Sequence, residues 1–438
     1  MTVQTVPLKS LTSVITKGTT PTTLGKAFTE EGINFFKVEA ISSDGGLISN
    51  KLAKINVDTH DLLKRSQIRA DDVLFSIAGA IGRTYLVRSP DIPANTNQAL
   101  AIIRPAASKI VPRYLYYYLR SSIFQDYSFG KVVQTAQANV SLSELGMAPI
   151  RLYSFPIQHK IAAVLSAYDD LIENNTRRIQ ILEEMAQALY REWFVHFRFP
   201  GHEQSNMVES EMGLIPEGWQ PELFGTLLAD NIGGGWGADE PSEEFPLPAY
   251  VIRGTDIPSA RHGTVASCPL RYHKPSNLRS RIVQAGDVVF EVSGGSKGQP
   301  VGRALLVNER LLRMLNENVI CASFCKRLRM AADRVSPELL YLHLLEIYSN
   351  GMINKYQVQS TGITNFKFTH FVNDDLVGLP LPEIQARFTS IVAPMLDSVC
   401  ALGEKNALLR QTRNLLLPKL ISGEVDVADL DIATGEQN

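Results

Sequence analysis

No run in the sequence approaches the ~18 consecutive apolar residues that a membrane-spanning helix needs. The opening MTVQTVPLKSLTSV also lacks the basic-then-apolar stretch and small-residue cleavage site of a signal peptide. A soluble, cytoplasmic protein is expected. Cysteine is scarce: Cys268, Cys321, Cys325 and Cys400 are the four in 438 residues, too few for a disulfide framework. Cys321 and Cys325 have no second pair and no nearby histidine, which argues against zinc. Compositional bias is absent too. With 45% hydrophobic and 20% charged residues, disorder and collagen-like structure are excluded. At roughly 100–200 residues per domain, the length predicts two to four domains.

Enzyme signatures are missing as well. Neither Gly233-Gly234-Gly235 nor SGGSKG at 293–298 contains G-x-x-x-x-G-K-[ST], so Lys297 is not part of a phosphate-cradling P-loop. The sequence has no G-x-S-x-G elbow and no H-E-x-x-H. It also lacks the Asn-Pro-Pro-Tyr/Phe tetrapeptide with which amino-methyltransferases hold a flipped base. His159, His196 and His202 read as core-packing or solvent-facing residues. A binding or assembly role follows by elimination.

The net charge of −2 hides an uneven distribution. Residues 1–150 carry 16 Lys+Arg against 11 Asp+Glu, and 251–281 carry six cations against one acid. Residues 201–218 hold four glutamates and no cation, and DEPSEE at 239–244 holds four acids. Local basic regions diluted by acidic linkers permit nucleic-acid binding without establishing it.

What the sequence does contain is itself, twice. ADDVLF at 70–75 parallels AGDVVF at 285–290. Each leads through a small-residue stretch to a Gly-Arg pair, 82–83 and 302–303, and then to an apolar run, TYLV or ALLV. These segments read as strand–turn–strand hairpins. VPRYLYYYL (111–119) parallels VSPELLYLHL, with proline in the first helical turn of both. VVQTAQANVSLSEL parallels VQSTGITNFKFTHF, and YSFPIQHKI parallels LPLPEIQARF. The offset drifts from about 215 to 227, so loop insertions separate two tandem domains rather than solenoid repeats. Tyr116, Tyr117 and Tyr118 read as helix packing.

Each copy ends in a helix of about 40 residues with heptad rows. One row of the first is Ile161, Tyr168, Asn175, Leu182, Leu189 and His196; the other is Leu165, Ile172, Ile179, Ala186 and Trp193. The second has Phe388, Met395, Leu402, Leu409 and Leu416, with Val392, Val399, Asn406, Arg413 and Leu420 alongside. A pattern sustained over about five heptads favours a coiled-coil seam over separate amphipathic helices, and Asn175 and Asn406 fit polar positions that fix register. Pro394 is expected to kink or break the second helix, and Pro418 with Gly423 to end it. Arg177, Arg178, Glu183, Glu184 and Arg191 lie off both rows and are expected to face a partner.

At this point the landmarks resemble a known family. DDLIENNTRRIQILEEMAQALYREWFVHF (169–197), the connector SEMGLIPEGW (210–219) and NLLLPKLISGEVDV (414–427), within a two-copy plan, resemble the type I restriction–modification specificity subunit over nearly the full length. The second domain's NIGGGWGAD departs from the glycine-then-threonine-proline form seen at 17–22 as KGTTPT. The resemblance implies a mixed α/β fold: two tandem target-recognition domains separated by two long helices pairing as an antiparallel coiled coil. The expected divisions are 1–152, helix 153–200, linker 201–218, 219–380, helix 381–424 and tail 425–438. It further implies a non-catalytic subunit that reads one half of a split, asymmetric DNA site with each domain. The implied partners are double-stranded DNA, two methyltransferase subunits on the helices, and translocase–endonuclease subunits. The assembled complex would be an adenine-specific DNA methyltransferase and ATP-dependent endonuclease. S-adenosylmethionine, ATP and Mg would belong to those partners, with no cofactor on this chain.

Reading B-DNA needs bidentate groups at base edges and cations or amides at phosphates. Candidates in the first domain are Lys17, Thr19, Thr20, Arg83, Lys131, Gln134, Gln137 and Asn139. Those in the second are Trp236, Arg253, Lys297, Arg303, Lys355, Gln357, Gln359, Asn365 and Lys367. Arg83 and Arg303 lead because both copies retain the Gly-Arg pair. Two competing classes are a coiled-coil interaction scaffold without nucleic acid and a stand-alone methyltransferase with degenerate motifs. Salt-dependent DNA binding separates the first from the reading above, and S-adenosylmethionine binding by the isolated chain identifies the second.

Overall fold

The computed structural model describes residues 3–130, 139–294, 299–360 and 362–434. The chain divides into two compact units, Met1–Asp170 with Leu409–Asn438, and Leu171–Leu408. In the first unit, Thr12–Lys17, Leu100–Pro105, Val73–Ser76 and Thr84–Leu86 form a four-stranded antiparallel sheet in that order. A second sheet orders Ala53–Ile55, Ile33–Phe36, Ala94–Thr96 and Gln67–Ile68, its middle pair parallel. The strands read as continuous apolar runs because both faces are covered. Val73, Phe75, Ala101 and Ile103 face a core with Tyr114, Leu115 and Tyr118. Leu74, Leu100 and Ile102 face Phe36 and Tyr85 on the other side. That is the period of two a strand imposes.

The second unit repeats this order with Leu228–Gly233, Cys325–Met330, Val288–Glu291 and Ala304–Leu306. Even a bulge recurs, between Thr12 and Val14 in one sheet and between Leu228 and Asp230 in the other. The parallel pair recurs as Leu247–Ile252 with Asn318–Cys321. The counterpart of Gln67–Ile68 is reduced to one bond, Val283 N donating to Val319 O. An antiparallel pair closes each globule where the chain enters and leaves it. Gln4–Pro7 lies against Pro149–Leu152, and Gln220–Leu223 against Leu376–Leu379.

Two polar devices explain why the copies share letters. The aspartate of each DDV/GDV segment is buried: Asp72 accepts two 2.7 Å bonds from Arg104 Nε and Nη2, and Asp287 accepts the same pair from Arg329. Each also accepts a turn amide, from Arg69 or Gln284. The glutamine shared by FPIQ and LPEIQ holds the globule helix that precedes it. Gln158 Oε1 accepts from Val111 N at the start of Pro112–Arg120, and Gln385 Oε1 from Ser336 N before Pro337–Ser349.

The central helix runs Phe155–Tyr190 and ends in a π-turn over Arg191–Val195, so His196 is exposed beyond the apolar row. The distal helix spans Pro382–Ser422. It is uninterrupted at Pro394, contrary to the expected break: Pro394 is exposed, so the carbonyl it leaves without a partner is open to water. Pro418 is likewise inside the helix, and Gly423, with φ +78°, follows its end. Within the second unit Asn175 meets Asn406 while Tyr190 meets Phe388, so the segments pair antiparallel. In the first unit Asp169 meets Arg413, and Tyr153, just before the helix, donates to Ile421 O. Leu165, Ile172, Ile179, Ala186 and Trp193 are all buried, as are Val392, Val399, Asn406, Arg413 and Leu420. Ile161, Asn175 and Phe388 are also buried, whereas Tyr168, Leu182, Leu189, Met395, Leu402, Leu409 and Leu416 are half-covered. The buried Arg413 is matched by Asp169, which also accepts from Tyr117 Oη at 2.7 Å. Tyr116, Tyr117 and Tyr118 are buried.

Among the described residues no helix is long and apolar enough to cross a membrane. All four cysteines are buried thiols, and burial pushes Cys321 up to about 12.

Candidate nucleic-acid interface

Strand direction gathers several candidates at one end of each main sheet. In the first unit Lys17 pairs with Ala101 and Ser76 with Leu100, so segments 17–20, 76–83 and 97–100 emerge together. The bridge between Ala78 and Asn139 adds a fourth segment. Gly18 is dictated by this crowding: a Cβ there would lie 1.9 Å from Thr96 O. The chain is then free to turn, with Thr19 N donating to Thr96 O, and Thr20 Oγ1 hydrogen-bonds Gln98. Lys17 is exposed at the strand end. Arg65 reaches Thr19 Oγ1 at 3.5 Å.

The second unit rebuilds the same end. Gly234 stands where Gly18 does, its Cβ position 2.1 Å from Cys321 O. The loop that follows presents Trp236, whose ring carries the Arg271 guanidinium at 4.7 Å. Ser293–Gly294 pairs with Ile363–Phe366, and Ser293 Oγ lies 2.7 Å from Asn365 Oδ1. This is the register that the Ala78–Asn139 bridge takes in the first unit.

The structure brings together Lys17, Thr19, Thr20, Arg83 and Asn139 in one globule, and Trp236, Arg303 and Asn365 in the other. Gln359 and Lys367 are exposed on and after the strands flanking Asn365. Lys131, Gln134, Gln137 and Lys297 lie outside the described residues.

The leading pair has side-chain partners within the fold. Arg83 Nη1 donates to Val38 O at 3.2 Å and Ile41 O at 2.7 Å. Arg303 forms a fork on Glu291, which is 2% exposed. Both copies keep Gly-Arg because the glycine takes a positive φ, +93° at Gly82 and +111° at Gly302, and the arginine satisfies buried acceptors. Arg253 is spent similarly on buried Asp256 and on Ser267 O. Gln357 is bonded to Val301 N and O, and Lys355 pairs with Asp374. These residues hold the fold.

The expected partner face is also narrower. Glu183 accepts from Arg261 at 2.9 Å and lies 3.0 Å from His262 Nε2. Although burial works against it, these two hold its carboxyl below the ordinary range. Arg191 pairs with Glu346. Arg177, Arg178 and Glu184 remain exposed.

Residues that sequence reading passed over include Arg65, Gln98 and Lys326. The largest omission is Phe324, 58% exposed at the turn into Cys325–Met330. The signal for it was available: with the copies superposed on their sheets, Phe324 falls opposite Ala99.

Two repeated α/β globules, each with a glycine-hinged polar loop cluster and each sharing a unit with segments of the paired long helices, make up the architecture of the described residues. Residues 2–184 match the family described as the type I restriction modification DNA specificity domain. The chain is 24% identical over 384 residues to the type I restriction enzyme MjaIX specificity subunit of Methanocaldococcus jannaschii, covering 82% of this chain and 78% of that one. It is 36% identical over 147 residues to the EcoBI specificity subunit of Escherichia coli, covering 33% and 31%. The crystal structure of a type I restriction–modification S subunit from M. genitalium aligns over 96% of both chains with a TM-score of 0.54 at 14% identity, a likeness of fold. The chain is similar, over its first 184 residues by family and over most of its length by relatives, to type I restriction–modification specificity subunits.

Proposed function

We propose that this chain supplies DNA sequence specificity to a type I restriction–modification complex. Each globule reads one half of a bipartite, asymmetric site, and the paired helices fix the length of the unread spacer. Methyltransferase subunits, two per chain, dock on the exposed helix faces that include Arg177 and Arg178, and translocase–endonuclease subunits join them. S-adenosylmethionine, ATP and Mg act on those partners, and this chain makes and breaks no bonds.

The supporting observation is the duplication itself. Two globules of one topology end in loop clusters of matched position but different residues: Thr20 and Ala99 in one, Trp236 and Phe324 in the other. Equal scaffolds with unequal loops suit two unequal half-sites.

Methylome sequencing of cells expressing the chain with its methyltransferase subunit tests the reading. The expected product is methyladenine in two short, different motifs at one fixed spacing. Methylation at a single contiguous motif would overturn it. Filter binding to duplex DNA across a salt series should show a steep fall in affinity, as phosphate contacts require; a flat response favours a protein scaffold.

A further inference from the structure

Singly exposed apolar residues need no explanation, but two large aromatic rings on adjoining loops of one polar cluster do. Phe324 is 58% exposed and Trp236 42% exposed, on adjoining loops at the loop-bearing end of the second globule's sheet. The loops are tied together by Gly235 N donating to Cys321 O and Gly234 N to Cys325 O. Val292 N and Ser293 N both donate to Phe324 O, so the backbone under the ring is fixed from two sides. Among the described residues no aromatic ring lies against Phe324. Trp236, by contrast, is held from behind by Arg271, whose Nε also donates to Trp236 O. Two cations lie on neighbouring segments: Lys326, two residues on and over the Phe368 ring, and Arg281, whose Nε donates to Gly233 O. The first globule has Ala99 and Thr20 at the matching positions.

We propose that Phe324 is a wedge that enters the base stack of the half-site facing the second globule, with Trp236 beside it as an aromatic platform. The first globule, lacking both rings, leaves its half-site stacked. This rests on the DNA-reading function proposed above and adds to it an unequal division of labour. One half-site is read with deformation of the duplex, the other without. An apolar ring placed between base pairs partly unstacks them and kinks the duplex, so deformable pyrimidine–purine steps are favoured at that position. Neighbouring cations offset the phosphate charge that such a kink brings closer.

The test uses the full chain with its methyltransferase subunits and duplexes carrying the methylated site. 2-Aminopurine replaces, one at a time, each adenine other than the methylated ones. At saturating protein, fluorescence should rise at one step within the second globule's half-site and nowhere in the other. Phe324→Ala should abolish that rise and weaken binding about tenfold, as loss of one base–aromatic stack does. Phe324→Leu, which keeps an apolar wedge, should retain part of the signal. An unchanged rise in Phe324→Ala overturns the wedge, as does specific binding with no rise in the native chain. Loss of methyltransferase-subunit affinity without a fluorescence change would assign the ring to a protein contact instead. Failure of the native complex to prefer its site over unrelated DNA would sink the DNA-reading function itself, an outcome distinct from these.

Discussion

The asparagine pair inside the helix seam gives the sharpest energetic test. Asn175 Nδ2 donates to Asn406 Oδ1 at 2.9 Å, and Asn406 Nδ2 lies 3.4 Å from Ile172 O and 3.3 Å from Thr176 Oγ1. The two residues are 5% and 2% exposed, so water cannot replace a lost partner. Asn406→Ala leaves the Asn175 amide buried without its acceptor, at a cost of about 1–3 kcal/mol. A value near 2 kcal/mol multiplies the unfolding constant roughly thirtyfold. Replacing both residues by leucine removes the donor and acceptor together and fills the seam, so the double variant should be about as stable as the native chain, or more so. Urea unfolding followed by far-ultraviolet circular dichroism measures both, and an unchanged m-value shows that the same surface unfolds. A double variant less stable than the worse single would refute the reasoning, because the pair would then be a source of stability rather than of register. If register is its purpose, the all-leucine seam should stay folded while methylation spreads over more than one spacer length.

Other consequences are open to direct measurement. Arg303→Ala leaves the Glu291 carboxylate buried without its partner and should lower stability by about 3–5 kcal/mol, seen as a drop in thermal midpoint; a selective loss of one half-site at unchanged stability would restore Arg303 as a base reader. Gly18→Ala forces a methyl group toward Thr96 O and should disturb recognition of one half-site, with Gly234→Ala disturbing the other, both scored by methylome sequencing. Burial opposes the charge on Asp256, but the side-chain and backbone bonds of Arg253 and the Ser267 hydroxyl hold its carboxyl below the ordinary range. Its stabilisation is therefore complete above about pH 4, the unfolded value, and is lost as pH falls through the lower folded value. Arg253→Ala should flatten that acid limb in unfolding curves. Charge reversal at Arg177 and Arg178 together should weaken methyltransferase-subunit capture on size-exclusion chromatography while the isolated chain stays folded.

Periodicity made much of the architecture legible before any coordinates. The heptad rows located the buried stripes, and the repeated DDV and GDV segments located equivalent strands, because burial imposes a period that the order of residues displays. Pro394 was misread because a helix ends at proline only when no other force carries it on. Here the buried row on either side of it, Val392 and Val399, continues the packing. The loop clusters were half legible. Glycines at 18 and 234 mark close backbone approach, but nothing in a string of letters shows whether an arginine beside a glycine points outward. Arg83 and Arg303 turn inward because buried acceptors lie there: two loop carbonyls in one case, and a carboxylate from the neighbouring strand in the other. Phe324 escaped notice for the opposite reason. Apolar residues near strands are assumed to be inside, and only its alanine counterpart signals otherwise.

The strand pairs that close each globule, Pro7 against Pro149 and Leu223 against Leu376, have a consequence for how such a chain can change. Entry and exit are zipped side by side, so a two-stranded stem bounds everything between them, and contacts to the helix such as Val111 with Gln158 and Ser336 with Gln385 steady it from the side. A segment mounted in this way behaves as a cassette. Its contents can be lengthened, recombined or replaced by an unrelated sequence of the same fold while the stem, and the helix that begins a few residues later, stay where they are. A globule threaded through the helices at several points would instead tie every change within it to a change in the helices. If the chain acts as proposed, a change of specificity within one stem should leave the exposed helix face at Arg177 and Arg178 unaltered.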